Sequence, residues 1–499
     1  MAGSFMKEET FLAVTVNREG FEYDIHSLVK AFFPACEVKV FAGEVEKDGS
    51  GEELPDLDIK FTQEAIFISL IGGEGGKASF SCNKIELTED LPRVEVKNRL
   101  KQLIYVTLSN YTQQELPWGT LTGIRPTKLT MTMLEEGKTS EEILHYMKET
   151  YFLSDAKAEL ALEIAGREKK LLDTLHYEDG YSLYIGIPFC PTTCLYCSFT
   201  SYPIVSWKKR IGEYLEALFK EIDMVAEIYG NKILDTIYIG GGTPTTLEPE
   251  ELELLFKKLE ENLNLSHLKE FTVEAGRADS ITKEKLQVLK AHGVSRISVN
   301  PQTMKQETLD LIGRHHTVEQ VKTAFALARE IGFTNINMDL ILGLPEETAQ
   351  DVTNTINEIK KLGPDSLTVH SLAIKRASRL SQWIEENGIS ELKNTEETME
   401  IAAQGATQMQ MVPYYLYRQK NMSGNFENIG YATEGNFGIY NILIMEEKQS
   451  IIALGAGSIS KRVYQDGRIE RCDNVKDVDL YISRIEEMIE RKRKLLEEA

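Results

Sequence analysis

Short apolar runs alternate with stretches of helical periodicity from about residue 181 onward. Ile211, Leu215, Leu218 and Ile222, for example, keep the i, i+3, i+4 spacing of an amphipathic helix. Because parallel strands buried on both faces are apolar throughout, the alternation predicts a parallel sheet covered by helices. The predicted strands are residues 183–187, 234–239, 271–275, 296–299, 336–342 and 367–373, and further helices are predicted at 250–263, 282–292 and 318–331. With a seventh and an eighth unit missing, the pattern predicts an α/β fold in the form of an open (β/α)6 partial barrel.

Both flanks of this region have a different pattern. Strand character at 10–16 and 79–87, a Gly-rich turn at 72–77 and a helical stretch at 140–174 predict an N-terminal α+β domain with a helical linker. After residue 410, a Gly/Asn-rich stretch at 423–438 precedes two predicted strands, 439–445 and 451–454, and a charged amphipathic helix at 478–498. We therefore expect three domains: an N-terminal domain (1–170), a barrel core (175–410) and a C-terminal α+β domain (411–499).

The charge balance restricts the partners of the chain. Its 56 Lys and Arg residues against 78 Asp and Glu residues give a net charge of −22. Nucleic acids and anionic membranes need a basic surface, so neither is an expected partner. No apolar run approaches the roughly 18 residues of a membrane span, and the first residues lack the pattern of a secretory signal. We expect a cytoplasmic protein without a membrane span.

Three of the six cysteines lie within eight positions, Cys190, Cys194 and Cys197, directly after the first predicted barrel strand. Three thiolates with C-x3-C-x2-C spacing can bind three irons of a [4Fe–4S] cluster and leave the fourth iron open. A structural zinc site is the alternative, but it needs four ligands, and no second cysteine pair is present. A chance trio of buried cysteines is the remaining alternative. The spacing favours the cluster.

Polar residues and glycines follow several predicted strands, at the edge where barrel active sites assemble. Gly240, Gly241 and Gly242 let backbone amides approach a ligand, although a simple tight turn would use the same residues. Glu274 and Asp339 suit a ribose hydroxyl or an ammonium, with helix N-capping as the alternative. Arg314, twelve residues after Gln302, is either a carboxylate clamp or half of a surface salt bridge.

The adjacent pair His315 and His316 could indicate a metal site. Neighbouring residues cannot share one helical face, so we expect solvated histidines, or histidines near a site that bind no metal themselves.

The cysteine motif resembles that of the radical S-adenosylmethionine (SAM) superfamily. The order and spacing of Tyr184, Gly240–Thr243, Glu274, Gln302 and Arg314 resemble, more narrowly, the oxygen-independent coproporphyrinogen III oxidases (dehydrogenases). The likeness continues through Asp339-Leu340-Ile341-Leu342-Gly343. The long N-terminal extension and the segment 419–424 look like the HemZ-type branch of that family.

The resemblance implies one [4Fe–4S] cluster, bound by Cys190, Cys194 and Cys197, and one or two molecules of SAM. The family's SAM-binding positions match Tyr184, Tyr196, Gly241, Gly242, Thr243, Glu274, Gln302, Arg314, Asp339 and Ala373. For Tyr196, shielding of the cluster is the alternative. No catalytic residue is expected beyond the ligands of the cluster and of SAM.

The implied reaction is the oxidative decarboxylation of coproporphyrinogen III to protoporphyrinogen IX in heme biosynthesis. A SAM-derived radical would take a hydrogen from a propionate, and loss of CO2 and one electron would leave a vinyl group. The implied partners are the porphyrinogen and an electron donor such as a flavodoxin or ferredoxin.

Two features differ from well-studied relatives. Phe199 stands where coproporphyrinogen dehydrogenases have a fourth cysteine, and 440–445 lacks the His-Asn-x-x-Tyr-Trp motif of the related heme chaperones. The first difference bears on decarboxylation, and the second counts against a heme-ligand role. The alternatives are a heme-binding trafficking protein and a radical SAM enzyme that acts on heme itself.

A substrate with four propionates needs local cations in so acidic a protein. Lys375, Arg376 and Arg379 form one candidate cluster, and Arg125 with Lys128 the other. Solvated surface charge is the alternative for both.

Overall fold

The computed structural model describes residues 11–34, 36–43, 57–72, 79–88, 91–198, 201–375, 378–388, 392, 394–419 and 426–497. The chain divides into two compact units, Met1–Glu163 and Ile164–Ala499. The predicted division of the second unit at residue 410 stays a prediction.

A five-stranded mixed sheet forms the centre of the first unit, with strand order β2-β1-β3-β4-β5. Its strands are β1 (Phe11–Val16), β2 (Glu37–Ala42), β3 (Leu57–Phe61), β4 (Ala65–Gly72) and β5 (Ser79–Glu86), and its helices are α1 (Glu22–Phe32), α2 (Arg93–Thr112), α3 (Thr127–Glu135), α4 (Ser140–Tyr151) and α5 (Asp155–Leu172), the last continuing into the second unit. Apolar side chains of β1, β3, α1 and α2 form its core.

The N-terminal predictions were correct in type but incomplete. Strands 10–16 and 79–87 are present as β1 and β5, while β2, β3 and β4 were not predicted. The predicted turn 72–77 lies almost wholly outside the described residues. The single helix predicted at 140–174 is two helices, because Phe152 adopts a left-handed conformation (φ 58°) that ends α4.

An eleven-stranded sheet organises the second unit. The strands of this unit are β6 (Gly180–Ile187), β7 (Phe189–Cys190), β8 (Tyr202–Pro203), β9 (Ile233–Gly241), β10 (Glu270–Glu274), β11 (Arg296–Ser298), β12 (Ile336–Leu342), β13 (Ser366–Ser371), β14 (Val412–Tyr417), β15 (Asn428–Ala432), β16 (Ser450–Leu454), β17 (Ile459–Val463) and β18 (Ile469–Asp473). Strands β7 and β8 form a separate two-stranded pair, and the others form the large sheet. The helices are α6 (Ile204–Trp207), α7 (Ile211–Tyr229), α8 (Pro249–Asn262), α9 (Lys283–Ala291), α10 (Gln306–Leu311), α11 (Val318–Ile331), α12 (Ala349–Leu362), α13 (Leu380–Asn387), α14 (Glu396–Gln408), α15 (Ile439–Glu446), α16 (Val478–Ser483) and α17 (Ile485–Glu497).

The six predicted barrel strands are present as neighbours in the order β13-β12-β11-β10-β9-β6, all parallel. Thr317 caps the start of α11 in a capping box with Gln320, and Gly332 (φ 102°) ends it. Such local signals made these units recognisable from sequence.

The C-terminal region extends this sheet at both ends. β16 pairs in parallel with β6, and β15 pairs antiparallel with β13. β14 and β18 are the edges of the sheet. Strand β15, which was not predicted, lies inside the Gly/Asn-rich stretch 423–438. The helix predicted at 478–498 is divided at Arg484 into α16 and α17.

The strand predicted at 439–445 is wrong, because these residues form helix α15. Short apolar runs do not distinguish a buried strand from a buried helix. A distant residue settles the choice: the carboxylate of Glu270 in β10 accepts the backbone N–H groups of Ile439 (2.7 Å) and Tyr440 (3.1 Å). Glu270 thus satisfies the first free donors of the helix from another strand.

Within the described residues, no helix has the length and apolarity that a membrane crossing requires.

We predict that Glu270→Ala destabilises α15. Loss of hydrogen bonds to a charged group costs about 1.5–3 kcal/mol. Hydrogen exchange followed by mass spectrometry should show faster exchange in Ile439–Glu446, and Glu270→Gln, which keeps an acceptor, should show a smaller effect. Equal exchange in wild type and Glu270→Ala would contradict this role.

Candidate active site

A cavity of about 500 Å3 lies at the carboxyl ends of the parallel strands. Nearly all predicted site residues line it: Cys190, Cys194, Tyr196, Cys197, Gly241, Gly242, Thr243, Glu274, Gln302, Arg314, Asp339 and Ala373. Residues separated by more than a hundred positions in sequence therefore share one site.

Tyr184 is the predicted site residue that does not line this cavity. Its ring stacks with those of Tyr238 (centroids 6.2 Å apart) and Tyr440 (6.1 Å). Tyr238 and Tyr440 themselves stack at 4.5 Å and line the cavity. Tyr184 thus supports the aromatic wall from behind.

Backbone hydrogen bonds from other segments hold the cysteine loop. The Leu195 N–H donates to Ile312 O (2.9 Å), and the Leu380 N–H donates to Leu195 O (3.0 Å). The Thr192 hydroxyl donates to Gly313 O (3.0 Å). The loop between the cysteines is therefore fixed by the segment that follows α10 and by the first residue of α13.

The glycine-rich turn after β9 packs directly against the cysteine strand. Gly241 has φ 104°, which favours glycine, and a Cβ on Gly242 would lie 2.6 Å from Phe189 O. The next residue, Thr243, donates its N–H to Phe189 O (2.7 Å) and places its hydroxyl 3.5 Å from Cys190 Sγ. These glycines are required for a close approach and do more than form a turn.

Glu274 and Asp339 do not cap helices. The Tyr238 hydroxyl donates to Glu274, whose pKa rises to about 7 because it is buried, with a further contribution from the negative charge of Asp339. Burial alone would also raise the pKa of Asp339, but His370 and hydrogen bonds such as that from Asn337 Nδ2 (2.6 Å) hold it below its usual value. Two nearby carboxyls thus differ in protonation.

Arg314 is not part of a surface salt bridge. It is 6% exposed and donates a hydrogen bond to Asn300 O. Its pKa stays above its usual value despite burial, because Tyr196 and Cys194 lie beside it. The guanidinium is held at the cavity wall next to the cysteine loop.

Several buried polar atoms along β11 and its exit have no hydrogen-bond partner: Ser298 Oγ, Asn300 Oδ1, Gln302 Oε1 and Arg314 Nε. Their residues all line the cavity. Because a buried polar group without a partner is costly, this row suits a polar ligand. SAM, with an amino-carboxylate, a ribose and a purine, has complementary donors and acceptors.

Among the described residues, no three His, Cys, Asp or Glu side chains converge closely enough for a single metal ion. A cluster needs its thiolates farther apart than one ion does, since each binds a different iron. Three cysteine thiols lining one cavity therefore suit a cluster better than a structural zinc ion.

His315 is exposed, as expected, but His316 is fully buried. Burial, together with the positive charge of Arg314, lowers the pKa of His316 to about 4. His316 therefore stays neutral near the site instead of being solvated.

The two predicted cation clusters differ in placement. Lys375 lines the cavity, whereas Arg379 donates to Thr193 O in the cysteine loop. Arg125 and Lys128 belong to the first unit. Arg376 and Phe199 lie outside the described residues.

Sequence reasoning did not single out Tyr238, Arg277, His370 or Tyr440, which also line the cavity. Tyr238 and His370 are inward positions near the ends of predicted strands, so strand alternation could have identified them. Arg277 could have been found from its place three residues after Glu274. Tyr440 could not, because its segment was assigned to a strand.

Comparison with known proteins agrees with this geometry. The family model described as Radical SAM superfamily matches residues 184–359. The oxygen-independent coproporphyrinogen-III oxidase-like protein HemZ of Bacillus subtilis (strain 168) is 39% identical over 481 residues, which is 95% of this chain and 95% of that protein. The chain therefore belongs to the radical SAM superfamily, in the family of HemZ-like and HemN-like proteins, whose members use a [4Fe–4S] cluster and SAM.

Other relatives match a smaller share of the chain. The heme chaperone HemW of Bacillus subtilis (strain 168) is 43% identical over 195 residues, covering 39% of this chain and 51% of that protein. The solved structure of coproporphyrinogen III oxidase (HemN) from Escherichia coli has a TM-score of 0.50 at 23% identity, covering 64% of this chain and 72% of that chain. This structural likeness confirms the predicted α/β radical SAM fold.

The pKa of Glu274 predicts a pH dependence of SAM binding. As the pH rises through about 7, this carboxyl ionises and can pair with an ammonium or accept from a ribose hydroxyl. Affinity for SAM should therefore rise up to about tenfold between roughly pH 6 and 8 in the reconstituted protein. Calorimetric titration of SAM into Glu274→Gln, which cannot ionise at this position, supplies the background slope. Identical slopes in the two proteins would contradict the assignment.

Proposed function

We propose that this protein is a radical SAM enzyme that decarboxylates coproporphyrinogen III to protoporphyrinogen IX without oxygen. One observation carries the proposal: three cysteines and a row of buried polar side chains line the same cavity in a chain that is HemZ-like over nearly its whole length.

Cys190, Cys194 and Cys197 would hold the cluster in this proposal, with Tyr196 shielding it. The chemistry that a [4Fe–4S] cluster and SAM supply together is abstraction of a hydrogen atom from an unactivated carbon. The protein's own task is to orient the reactants and to exclude water from them.

SAM would be held by residues from several strands. Gly241 and Gly242 leave room for the amino-carboxylate beside the backbone, and the hydroxyl of Thr243 suits it. The Gly242 N–H is not the donor expected from the sequence, because it donates to Ile187 O (2.8 Å). Glu274 and Asp339 suit the ribose and the ammonium, and Arg314 suits a carboxylate through its planar fork. Gln302 and Ala373 complete the walls.

The porphyrinogen would enter along the side of the cavity formed by β13 and β14. Tyr415 and Tyr417 stack at 6.2 Å and give this side an aromatic surface. Lys375 follows β13 on the same cavity wall, and burial lowers its pKa. A propionate beside Lys375 would favour the charged ammonium, so we assign Lys375 to substrate binding. Arg379 already serves the cysteine loop.

Heme trafficking is the second candidate, because a heme chaperone is 43% identical over 195 residues. His370 and Met445 line the cavity and have the chemistry of heme axial ligands.

Anaerobic turnover with coproporphyrinogen III, SAM and dithionite tests the first candidate. Mass spectrometry should show two successive losses, each of one CO2 and two hydrogens, as two propionates become vinyl groups. Lys375→Met should raise KM about tenfold, since a hydrogen bond to a charged group is worth about 1.5–3 kcal/mol. Lys360→Met is the matched control, because Lys360 is a lysine of the exposed α12 surface.

A wild-type protein with a full cluster and no decarboxylated product would contradict the enzyme assignment. Stoichiometric heme binding by that same protein, lost in His370→Ala, would then favour trafficking.

A further inference from the structure

Arg277 is a buried cation that the SAM-binding assignment leaves unused. It lies in the loop after β10, with its side chain only 3% exposed. The carboxylate of Asp279 binds one edge of the guanidinium. It accepts hydrogen bonds from Nε (3.0 Å) and Nη2 (2.6 Å) of Arg277. This bidentate pair fixes the orientation of the guanidinium plane.

The opposite edge of the guanidinium points at the cysteine loop. Nη1 donates to Thr192 Oγ1 (2.8 Å) and Thr192 O (3.2 Å), and lies 4.0 Å from Cys194 Sγ. Cys194 is itself buried. A permanent positive charge is therefore held next to one of the cluster thiolates.

The Arg277–Asp279 ion pair is oriented with its positive charge nearer to the cysteine loop than its negative charge. Its positive end faces Cys194, and Asp279 is on the far side of the guanidinium, where it also approaches His316 Nδ1 (3.9 Å). In a buried environment of low polarity, the nearer charge acts more strongly than the farther one. The net effect at the sulfur is that of a cation.

We propose that Arg277, oriented by Asp279, raises the reduction potential of the cluster. Reduction moves one electron from a low-potential donor to the cluster and adds one negative charge. The nearby guanidinium stabilises that charge, while Asp279 opposes it. Arg277 is a positioning residue for the cluster and does not take part in bond breaking.

The two residues predict shifts of opposite sign. Arg277→Gln keeps hydrogen-bonding capacity but removes the positive charge, so it should make the potential more negative. Asp279→Asn removes the opposing charge, so it should make the potential more positive. A purely structural role predicts no such opposition.

An anaerobic redox titration monitored by electron paramagnetic resonance (EPR), without SAM or porphyrinogen, measures these shifts. Arg277→Gln should disfavour reduction at least tenfold, which is 59 mV for one electron. Arg277→Lys, which retains the positive charge, should have a reduction potential close to that of the wild-type protein. Arg329→Gln is the matched control, since Arg329 pairs with Asp365 (2.7 Å) away from the cavity.

An unchanged potential in Arg277→Gln with a full cluster would overturn the proposal, as would an equal shift in Arg277→Lys. If Arg277→Gln fails to retain the cluster, Asp279→Asn decides: a positive shift supports the proposal, and no shift or a negative shift overturns it. The inference depends on the cluster and not on porphyrinogen turnover, so failure of the proposed reaction leaves this measurement intact.

Discussion

The parallel pairing of six neighbouring strands is the constraint on which the rest of the site depends. Parallel strands bring all their carboxyl ends to one edge of the sheet. The register between β6 and β9 then sets Ile187 opposite Gly241, which places the cysteine strand against the glycine turn. A slip of one residue would turn these side chains to the other face. The register therefore determines whether cysteines, glycines and carboxylates share one cavity.

Inside that cavity, the ionisation of each buried group depends on the groups that lie beside it. Desolvation raises the pKa of Glu274 to about 7, so this carboxyl ionises near neutral pH. Asp339 stays ionised because His370 and Asn337 lie beside it. The guanidiniums of Arg314 and Arg277 both lie close to the cysteine loop. In an acidic chain of net charge −22, such local cations make a site for anionic groups possible.

Much of this arrangement follows from local sequence signals. Strand runs, helix caps and the C-x3-C-x2-C spacing are short-range features, and they located the six strands and the three cysteines. The SAM-binding positions came from the resemblance to a known family. The features that were predicted wrongly or missed depend on contacts between residues far apart in sequence. Helix α15 needs Glu270 from β10, and the role of Arg277 needs the cysteine loop. Strand β15 pairs with β13, and β14 pairs with β15. No local sequence pattern indicates such pairing with a distant strand.

The central claim is that the three cysteines hold a cluster with an open iron beside a SAM site. Electron–nuclear double resonance on the reduced, anaerobically reconstituted protein tests this directly with SAM labelled by 13C at its carboxyl group. The account predicts a 13C coupling to the cluster that appears on addition of SAM. A fully loaded [4Fe–4S] protein whose spectrum is unchanged by saturating labelled SAM, with no 13C coupling, would contradict it.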